Sequence, residues 1–403
     1  MKFSDLKKLR NLPVATAPKP QPQEAPAPVP VPDKTDTAPA RQAAAPQAAI
    51  PAATPPAKRE PQPREKAKPA PKPPPGPSLR ELNARAKEAY TRLIEQSAEL
   101  LRRIEQPYTE QYDTVLRACR AAAAALKDNP ALLGFTSYAT EPDYLYAHIA
   151  NTTIFSLALG RASGLEGKDL DLLGFCAMAH DIGMTDYRDL YNRKDRLSEE
   201  EFSEITLHTE AGMRKLDRIV DLDYKLKERA SLILLQTHER IDGTGYPDRL
   251  SAEQIDPFAQ IIGIADVYEA MTHPRPWRGA MNPPDVIREL IAKEGRGFSS
   301  KTVKTLIAVL SIYPPNSIVT LSTGETARVI QVNGGSLTKP VVELLLDAEF
   351  NPAPARVVDL LAHPLTSVDR PVSCEEIARK NPDFAAQLCA PRWWTMRVQE
   401  NDY

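Results

Sequence analysis

The sequence predicts a mainly α protein, in which a disordered Pro/Ala-rich N-terminal tail leads into a helical bundle and a small C-terminal β module follows. Three observations predict this fold class. Apolar residues recur at helical spacing through most of residues 79–312, the pattern changes to period two after Pro314-Pro315, and 21 of the 39 prolines lie in residues 1–77. The middle of the chain is therefore expected to build the principal core.

Residues 1–77 are expected to be a disordered, basic tail. They contain almost no aromatic or long aliphatic residues, so they cannot bury enough apolar surface to offset the entropy of ordering. The tail carries 13 Lys and Arg against 6 Asp and Glu. These charges are dilute, which favours a solvated tether over a nucleic-acid or membrane contact. A protein partner that binds through the tail, or through the helices that follow it, stays open.

Residues 78–130 are predicted to form a helical hairpin. Apolar residues recur at helical spacing over 79–106, and Pro107 ends that helix. A second helix is predicted over 109–127, before the stop signal at Asn129-Pro130. Two interpretations remain. The hairpin is a regulatory or dimerising element, which would make the protein a homodimer, or it supplies the first helices of the next domain.

Residues 131–315 are predicted to form one all-helical domain, because strand patterns are absent from this part of the sequence. Each predicted helix begins near a Ser, Asp or Pro, as N-terminal capping favours. The predicted helices are 144–163, 169–180, 198–216, 223–238, 257–271, 283–293 and 301–311.

Residues 316–372 are predicted to form the small β module. Short strands are expected at 317–322, 327–332 and 341–347, joined by turns that contain glycine. The last segment, 373–403, contains a predicted short helix at 375–379 and the pair Trp393-Trp394. We interpret the pair as closing the edge of a core rather than stacking on a nucleotide.

The four cysteines are scattered without a CxxC spacing, which indicates reduced, structural thiols and a cytoplasmic protein. No apolar run approaches the length of a membrane span. The first residues lack the apolar segment and small-residue cleavage site of a secretory signal.

Histidine spacing is the strongest functional signal. The chain has only six histidines, and His148, His180, His208 and His238 stand about thirty residues apart in predicted helices. Asp181 follows His180 directly, and Asp266 lies in a further helix. Any one of these histidines alone is more often a hydrogen-bonded core residue than a ligand.

Helices that each present one ligand to a common axis build metal sites inside bundles. Imidazoles with a shared carboxylate suit iron, manganese or zinc better than calcium or magnesium. Two such metals would bind a bridging hydroxide and clamp a phosphate, which is the arrangement for phosphoester hydrolysis.

The string His-Glu-Arg-Ile-Asp-Gly-Thr-Gly-Tyr-Pro at 238–247 is long and specific. With His180-Asp181 upstream, Ala-Asp-Val-Tyr-Glu-Ala-Met-Thr at 265–272 and the two arginines of 275–278, it resembles the HD-GYP family of bacterial phosphodiesterases. The resemblance runs from about residue 143 to residue 312. It implies an HD-type helical bundle, divalent ions that are usually iron or manganese, and hydrolysis of cyclic di-GMP to pGpG or GMP.

The resemblance also implies a set of site residues. The first metal would be held by His148, His180, Asp181 and Asp266, and the second by Asp181, His208 and His238. His180 and Asp181 would be the catalytic pair, with a metal-bridged hydroxide as the nucleophile. Tyr246, Arg275 and Arg278 would contact the substrate, the arginines through its phosphates.

Three positions depart from the family pattern. Thr237 stands where a further histidine is usual, Tyr144 stands where three-metal members carry a glutamate, and Met184 stands where a lysine is common. These departures favour two metals over three and predict a weak enzyme. The alternative is a degenerate member that binds cyclic di-GMP or a protein partner without hydrolysis. A third hypothesis is a hydrolase of another cyclic dinucleotide or of nucleotides.

Overall fold

The computed structural model describes residues 79–129, 132–136, 144–275, 277–292, 296–334, 336–354 and 356–389. The predicted tail and the Trp393-Trp394 pair lie outside these residues. The predicted fold class is confirmed for the described chain, since helices build most of it and a small antiparallel sheet follows them. The division into five segments at residues 77, 130, 315 and 372 stays a prediction.

The helical part has α-helices connected by short loops and by two 3₁₀ segments, Ile182–Tyr187 and Ala252–Gln254. The α-helices, numbered along the chain, are α1 (Leu79–Arg103), α2 (Tyr112–Asp128), α3 (Leu132–Phe135), α4 (Tyr144–Ala162), α5 (Gly167–Ala179), α6 (Arg188–Tyr191), α7 (Glu199–Thr206), α8 (His208–Leu216), α9 (Tyr224–Gln236), α10 (Pro257–Thr272), α11 (Pro283–Ala292) and α12 (Ser300–Leu310).

Helices α4 and α10 pack against each other at the centre of the bundle. Nearly every residue of α4 after its first turn is buried, and α10 is buried along most of its length. Such helices are apolar on all sides, so the few polar side chains on them must find partners inside the protein. The buried imidazole, amide and carboxylate side chains are His148 and Asn151 on α4 and Asp266 and Glu269 on α10, and α4 also buries the hydroxyls of Thr152, Thr153 and Ser156.

Helices α1 and α2 pack as the first helices of the bundle. Leu93 and Leu100 of α1 and Ala122 of α2 are fully buried and belong to the same apolar core as α4 and α10. Their burial stabilises the bundle through the loss of apolar surface from water.

The prediction of a single helix over 198–216 is wrong, because the structure has two helices there, α7 and α8, which are separated at Leu207. The Nδ1 atom of His208 contacts the carbonyl of Ile205 at 2.6 Å, and Thr209 Oγ1 donates to the carbonyl of Thr206. Side chains that bond nearby carbonyls compete with the helical backbone ladder. The break places His208 at the first position of a new helix.

The β module is a five-stranded antiparallel sheet in the order β4-β3-β2-β1-β5. Its strands are β1 (Ile318–Leu321), β2 (Thr326–Asn333), β3 (Ser336–Leu346), β4 (Val357–Asp359) and β5 (Val368–Pro371). Three were predicted, whereas β4 and β5 were missed, because β4 has only three residues and β5, Val-Asp-Arg-Pro, has no alternation of apolar and polar residues. Val319 lies opposite Ala327, and Val329 lies opposite Val342.

Two further helices, α13 (Cys374–Lys380) and α14 (Pro382–Cys389), cover one face of this sheet. Their Ile377, Phe384 and Leu388 pack with Leu345 and Val372 in a core of their own. The sheet contacts the bundle through Asn316, whose Nδ2 donates to the carbonyl of Gly134 at 2.6 Å. Among the described residues, no helix combines the length and apolar character that a bilayer span requires.

A salt bridge ties the end of α1 to the segments that carry the histidines. The ammonium of Lys215, on the buried side of α8, lies between the carboxylates of Glu105 and Asp186, the latter at 2.7 Å. Thr185 Oγ1 also donates to Glu105 at 2.6 Å. Burial opposes ionisation of Glu105, but the hydrogen bonds from Lys215 and Thr185 and the charges of Lys215 and Arg218 together outweigh it and lower the pKa of Glu105.

The 3₁₀ segment crosses α8 at close range at Gly183. A Cβ atom on Gly183 would lie 1.9 Å from the His208 carbonyl oxygen and 2.5 Å from the Gly212 nitrogen. Only glycine permits two backbones to pack at this distance. The contact sets the spacing between Asp181, two residues before the glycine, and His208.

We expect Gly183→Ala to push the 3₁₀ segment away from α8 and to lower the free energy of unfolding by about 3 kcal/mol or more. The matched control is Gly212→Ala, because a Cβ there meets nothing closer than 3.5 Å. That change should alter stability by less than about 1 kcal/mol. Urea unfolding of both variants checks the prediction, and equal effects would contradict it.

We expect Glu105→Gln to lower the free energy of unfolding at pH 7 by about 1 kcal/mol, since Glu105 is half exposed and solvent screens the pair. The folded-state pKa lies below the unfolded one, so this contribution is present above the unfolded pKa and is lost as the pH falls through the folded pKa. The difference between the two proteins should therefore shrink from pH 7 to pH 3.

The control for this change is Glu88→Gln, which removes an exposed ion pair with Arg92 on the same helix. Its effect on unfolding should be no more than about 0.5 kcal/mol. A Glu105→Gln effect that does not depend on pH would rule out the ion pair as its cause.

Candidate metal centre

Six side chains from five segments converge inside the bundle, and none is more than 6% exposed. They are His148 on α4, His180 and Asp181 after α5, His208 at the start of α8, His238 after α9, and Asp266 on α10. All six were predicted from the sequence as metal ligands. The structure brings them together, whereas their role as ligands stays a proposal.

The six side chains form two overlapping groups. One ligand atom each from His148, His180 and Asp181 lie within 4.8 Å of one another, and the same holds for Asp181, His208 and His238. Asp181 therefore belongs to both groups. Asp266 lies beside them, with Oδ1 3.3 Å from His148 Nε2 and Oδ2 3.7 Å from His238 Nδ1.

Two histidines that were predicted to lie within helices lie just past the helix ends. Helix α5 ends at Ala179 and α9 ends at Gln236, so His180 and His238 occupy turns. In the turn, His180 Nδ1 reaches the carbonyl of Ala177 at 2.7 Å. His208 makes the same contact with the carbonyl three residues before it.

These contacts fix the protonation of the two rings. A carbonyl oxygen only accepts, so Nδ1 of each ring is a donor and Nε2 is the ring nitrogen that faces the cluster. The Nε2 of His208 lies 3.0 Å from that of His238. The Nε2 of His180 is buried and has no hydrogen-bond partner among the residues that the structure describes, and Asp181 Oδ2 lies 3.7 Å from it.

A buried nitrogen lone pair without a donor is a position that a cation would satisfy. The donor set of imidazoles and carboxylates suits iron, manganese or zinc. The residues therefore fit a divalent metal centre, and Asp181 is placed to serve two ions.

The charges of the cluster also favour cations. Burial would raise the pKa of Asp181, but the neighbouring imidazoles, His180 foremost, hold it well below its usual value. Burial lowers the pKa of His180 and of His238. Ionised carboxylates beside neutral imidazoles are the state in which such groups bind metal.

His148 is held differently from the other histidines. Its Nε2 faces the cluster, 3.4 Å from Asp181 Oδ2, while its Nδ1 contacts Glu269 Oε2. A carboxylate behind a ligating histidine orients the ring and increases its basicity. Burial alone would lower the pKa of His148, but Glu269 and the cluster carboxylates hold it well above its usual value.

Glu269 was missed from the sequence, although it lies on α10 one turn after Asp266. That spacing on a buried helix is a signal that the two carboxylates share a face. Glu269 is 1% exposed, and burial opposes its ionisation, but Arg275 and His148 keep its pKa well below the usual range. The Arg275 Nη2 atom donates to Glu269 Oε2 at 2.6 Å.

The two arginines predicted to grip phosphates are turned inward. The side chain of Arg275 is buried, pairs with Glu269 and lies over the ring of Tyr144, 4.7 Å from its centroid. Arg278 donates to the carbonyls of Ala270 and Met271 at the C-terminal end of α10. Burial and the nearby Arg275 lower the pKa of Arg278 to about 10. A phosphate contact by either one would require it to leave these partners.

The Gly-Tyr-Pro loop lies against the second group of ligands. The Tyr246 ring stacks on His238 with centroids 4.9 Å apart, and its edge meets Phe202. Gly245 is required here, since a Cβ would lie 2.4 Å from the backbone of Glu239. The Glu239 carboxylate accepts three backbone N–H groups from residues 248–250, which anchors the end of the loop.

The side chains at the three positions that depart from the family pattern all pack against other parts of the protein. Thr237 is 1% exposed and its Oγ1 donates to the carbonyl of Leu234 at 2.9 Å. Met184 is buried in the apolar core. The Tyr144 hydroxyl donates to the carbonyl of Tyr191 at 3.2 Å. None of the three side chains offers an imidazole or a charge to the cluster.

Residues 136–300 match the family described as HD domain, and residues 318–380 match the KOW domain associated with HD domain. Over 244 residues the chain is 32% identical to the cyclic di-GMP phosphodiesterase PA4108 of Pseudomonas aeruginosa. This alignment covers 59% of this chain and 57% of that protein. Over 205 residues it is 27% identical to the cyclic di-GMP phosphodiesterase PdeB of Borreliella burgdorferi, covering 51% and 53%.

The chain thus spans little more than half the length of these two relatives. Among solved structures, it is similar to Bd1817, an HDG"Y"P protein from Bdellovibrio bacteriovorus, with a TM-score of 0.44 and 18% identity over 58% of this chain and 74% of that one. The family model and the two relatives agree with the resemblance seen in the sequence. The whole cluster therefore lies within residues 136–300, the part of the chain that matches the HD domain.

Proposed function

We propose that this chain is a metal-dependent phosphodiesterase that hydrolyses cyclic di-GMP to pGpG or GMP. The observation that carries the proposal is the position of Asp181, whose carboxylate belongs to both groups of buried ligand atoms. The similarity to two cyclic di-GMP phosphodiesterases supports the substrate. We also retain as proposals a cytoplasmic location, a homodimer and a protein partner that binds through the tail or through α1 and α2.

The proposed centre takes two divalent ions, with iron or manganese as the metals. His148, His180, Asp181 and Asp266 would hold the first, and Asp181, His208 and His238 the second. Two ions at adjacent positions supply Lewis acidity, which activates water and neutralises charge on a phosphodiester. The remaining steps depend on how the chain holds its own side chains.

The protein contributes a dry, pre-oriented set of donors. The carbonyls of Ala177 and Ile205 fix the rings of His180 and His208, so their Nε2 lone pairs already face inward. Donors that need no reorientation lose little entropy when they bind. The near-complete burial of the six side chains keeps water from competing with substrate oxygens.

Substrate recognition is proposed for Tyr246, because its ring stacks on His238 beside the second group and its side chain is partly exposed. An aromatic ring at this place offers a π-face to a purine base. Contacts from Arg275 and Arg278 stay proposals that require a conformational change, since both guanidinium groups are held by groups at the end of α10.

A second candidate function is binding of cyclic di-GMP without hydrolysis. The positions of Thr237 and Met184 favour it, because the first bonds a backbone carbonyl and the second lies in the apolar core. A centre without the usual histidine at position 237 and lysine at position 184 would bind its second ion or its substrate phosphate more weakly.

We expect the purified chain, loaded with Mn²⁺ without oxygen and then desalted, to retain two ions per chain. His180→Ala removes a buried donor and should lower the content by about one ion. Elemental analysis measures the content, and circular dichroism verifies folding. The control is His363→Ala, since His363 is exposed in the β module. The same metal content in the wild type and in His180→Ala would show that His180 is not a ligand.

We expect the metal-loaded chain to convert cyclic di-GMP to linear or mononucleotide product, followed by chromatography. Asp181→Asn keeps the size of the side chain but removes the charge that both groups share, so kcat should fall by about a hundredfold or more. Intact substrate after incubation with the folded, metal-loaded wild type would contradict the proposed phosphodiesterase activity. A calorimetric titration with cyclic di-GMP would then test the second candidate.

A further inference from the structure

The carboxylate behind His148 is held on both of its oxygens. Glu269 Oε2 accepts from His148 and from Arg275, while Oε1 accepts from Asn151 Nδ2 at 3.1 Å. The orientation of Glu269, and through it that of the His148 ring, therefore depends on groups that do not touch the cluster. Arg275 supplies the positive charge that pairs with the Glu269 carboxylate, and Asn151 holds the second oxygen of that carboxylate.

Asn151 lies on α4 just under one turn after His148 and is fully buried. Its Oδ1 accepts a hydrogen bond of 3.0 Å from the hydroxyl of Tyr90. The direction of these bonds is determined, because an ionised carboxylate only accepts. The Asn151 amide must then turn its NH₂ group to Glu269 and its oxygen to Tyr90, whose hydroxyl donates.

Tyr90 is on α1, is 4% exposed and precedes the HD domain match at 136–300. Three hydrogen bonds in series therefore connect the first helix of the bundle to a ligand of the proposed metal centre: Tyr90 to Asn151, Asn151 to Glu269, and His148 to Glu269. Buried polar networks of this kind fix a single arrangement, because any unpaired member is costly.

We infer that Tyr90 is a positioning residue for the metal centre, which its hydroxyl supports by holding Asn151, and through it Glu269, in the orientation that turns His148 Nε2 toward Asp181 and Asp266. The inference rests on the proposed function to the extent that the cluster holds metal. It does not depend on which phosphodiester is cleaved.

Removing the Tyr90 hydroxyl leaves Asn151 Oδ1 buried without its donor. The amide can then rotate, Glu269 loses one of its fixed directions, and the His148 ring is less well oriented. Changing a residue in direct contact with a metal ligand typically costs 10–100-fold in affinity. Tyr90 acts two bonds further away, so we expect Tyr90→Phe to weaken Mn²⁺ binding by roughly three- to tenfold.

The experiment compares five full-length proteins. They are the wild type, Tyr90→Phe, Asn151→Leu, Glu269→Gln as the direct perturbation, and Tyr112→Phe as the matched control. Tyr112 is a tyrosine on α2 whose ring packs on Phe175, and it takes no part in the three hydrogen bonds described above. The Mn²⁺ dissociation constant is measured by competition with a chelator, and Tm is measured with and without Mn²⁺.

The increase in Tm that Mn²⁺ produces separates positioning from stability. A merely structural hydroxyl would lower the Tm of the metal-free protein and leave the metal-induced increase unchanged. We expect Tyr90→Phe to reduce that increase and Tyr112→Phe to leave it as in the wild type. Asn151→Leu, which removes both of its bonds at similar size, should have the same effect as Tyr90→Phe or a larger one.

Equal Mn²⁺ affinities in the wild type and Tyr90→Phe, with weaker binding in Glu269→Gln, would overturn this inference alone. A wild type that bound no Mn²⁺ would overturn both the inference and the proposed function. Tight Mn²⁺ binding with intact cyclic di-GMP would overturn only the proposed enzyme, and the comparison of affinities would still decide the role of Tyr90.

Discussion

The burial of two ionised carboxylates, Asp181 and Asp266, inside an apolar bundle is the constraint on which the rest of the structure depends. An isolated buried charge is costly, so each carboxylate must have partners that do not come from water. Four imidazoles surround them. Three of these rings are held by backbone carbonyls or by Glu269, and the ring of Tyr246 stacks on the fourth, His238. The helix ends, the break before His208 and the close contact at Gly183 all serve to bring these groups together.

The spacing of four of the six histidines, together with the resemblance, was sufficient to predict which six side chains converge in the bundle. It was not sufficient to predict what holds them. Glu269 contacts His148 across 121 positions of sequence, and Asn151 contacts Tyr90 across 61. Hydrogen bonds between distant helices leave no periodic pattern, so only the packed structure reveals them. For the same reason, the resemblance suggested arginines at 275 and 278 but not the partners that hold them.

Prediction of the fold succeeded where the local pattern and the packing agree. Helix α1 shows the period of 3.6 that one buried face requires, whereas α4 and α10 are long apolar segments that are buried on nearly every side. It failed at short elements, such as β4 and β5, whose pairing with neighbouring strands stabilises them more than their own composition does. It also failed at Leu207, where the side chains of His208 and Thr209 compete with the helix, an effect that hydrophobic periodicity does not detect.

One carboxylate shared by two groups of ligands has a consequence for how the centre would fill. An ion held by Asp181 with His148 and His180 would neutralise part of the charge of the carboxylate that also faces His208 and His238. Occupancy of the two positions is then thermodynamically linked, and each ion alters the affinity of the other by the same factor. The loading of such a centre is a property of the pair, so neither position has an affinity that can be defined without stating whether its neighbour is filled.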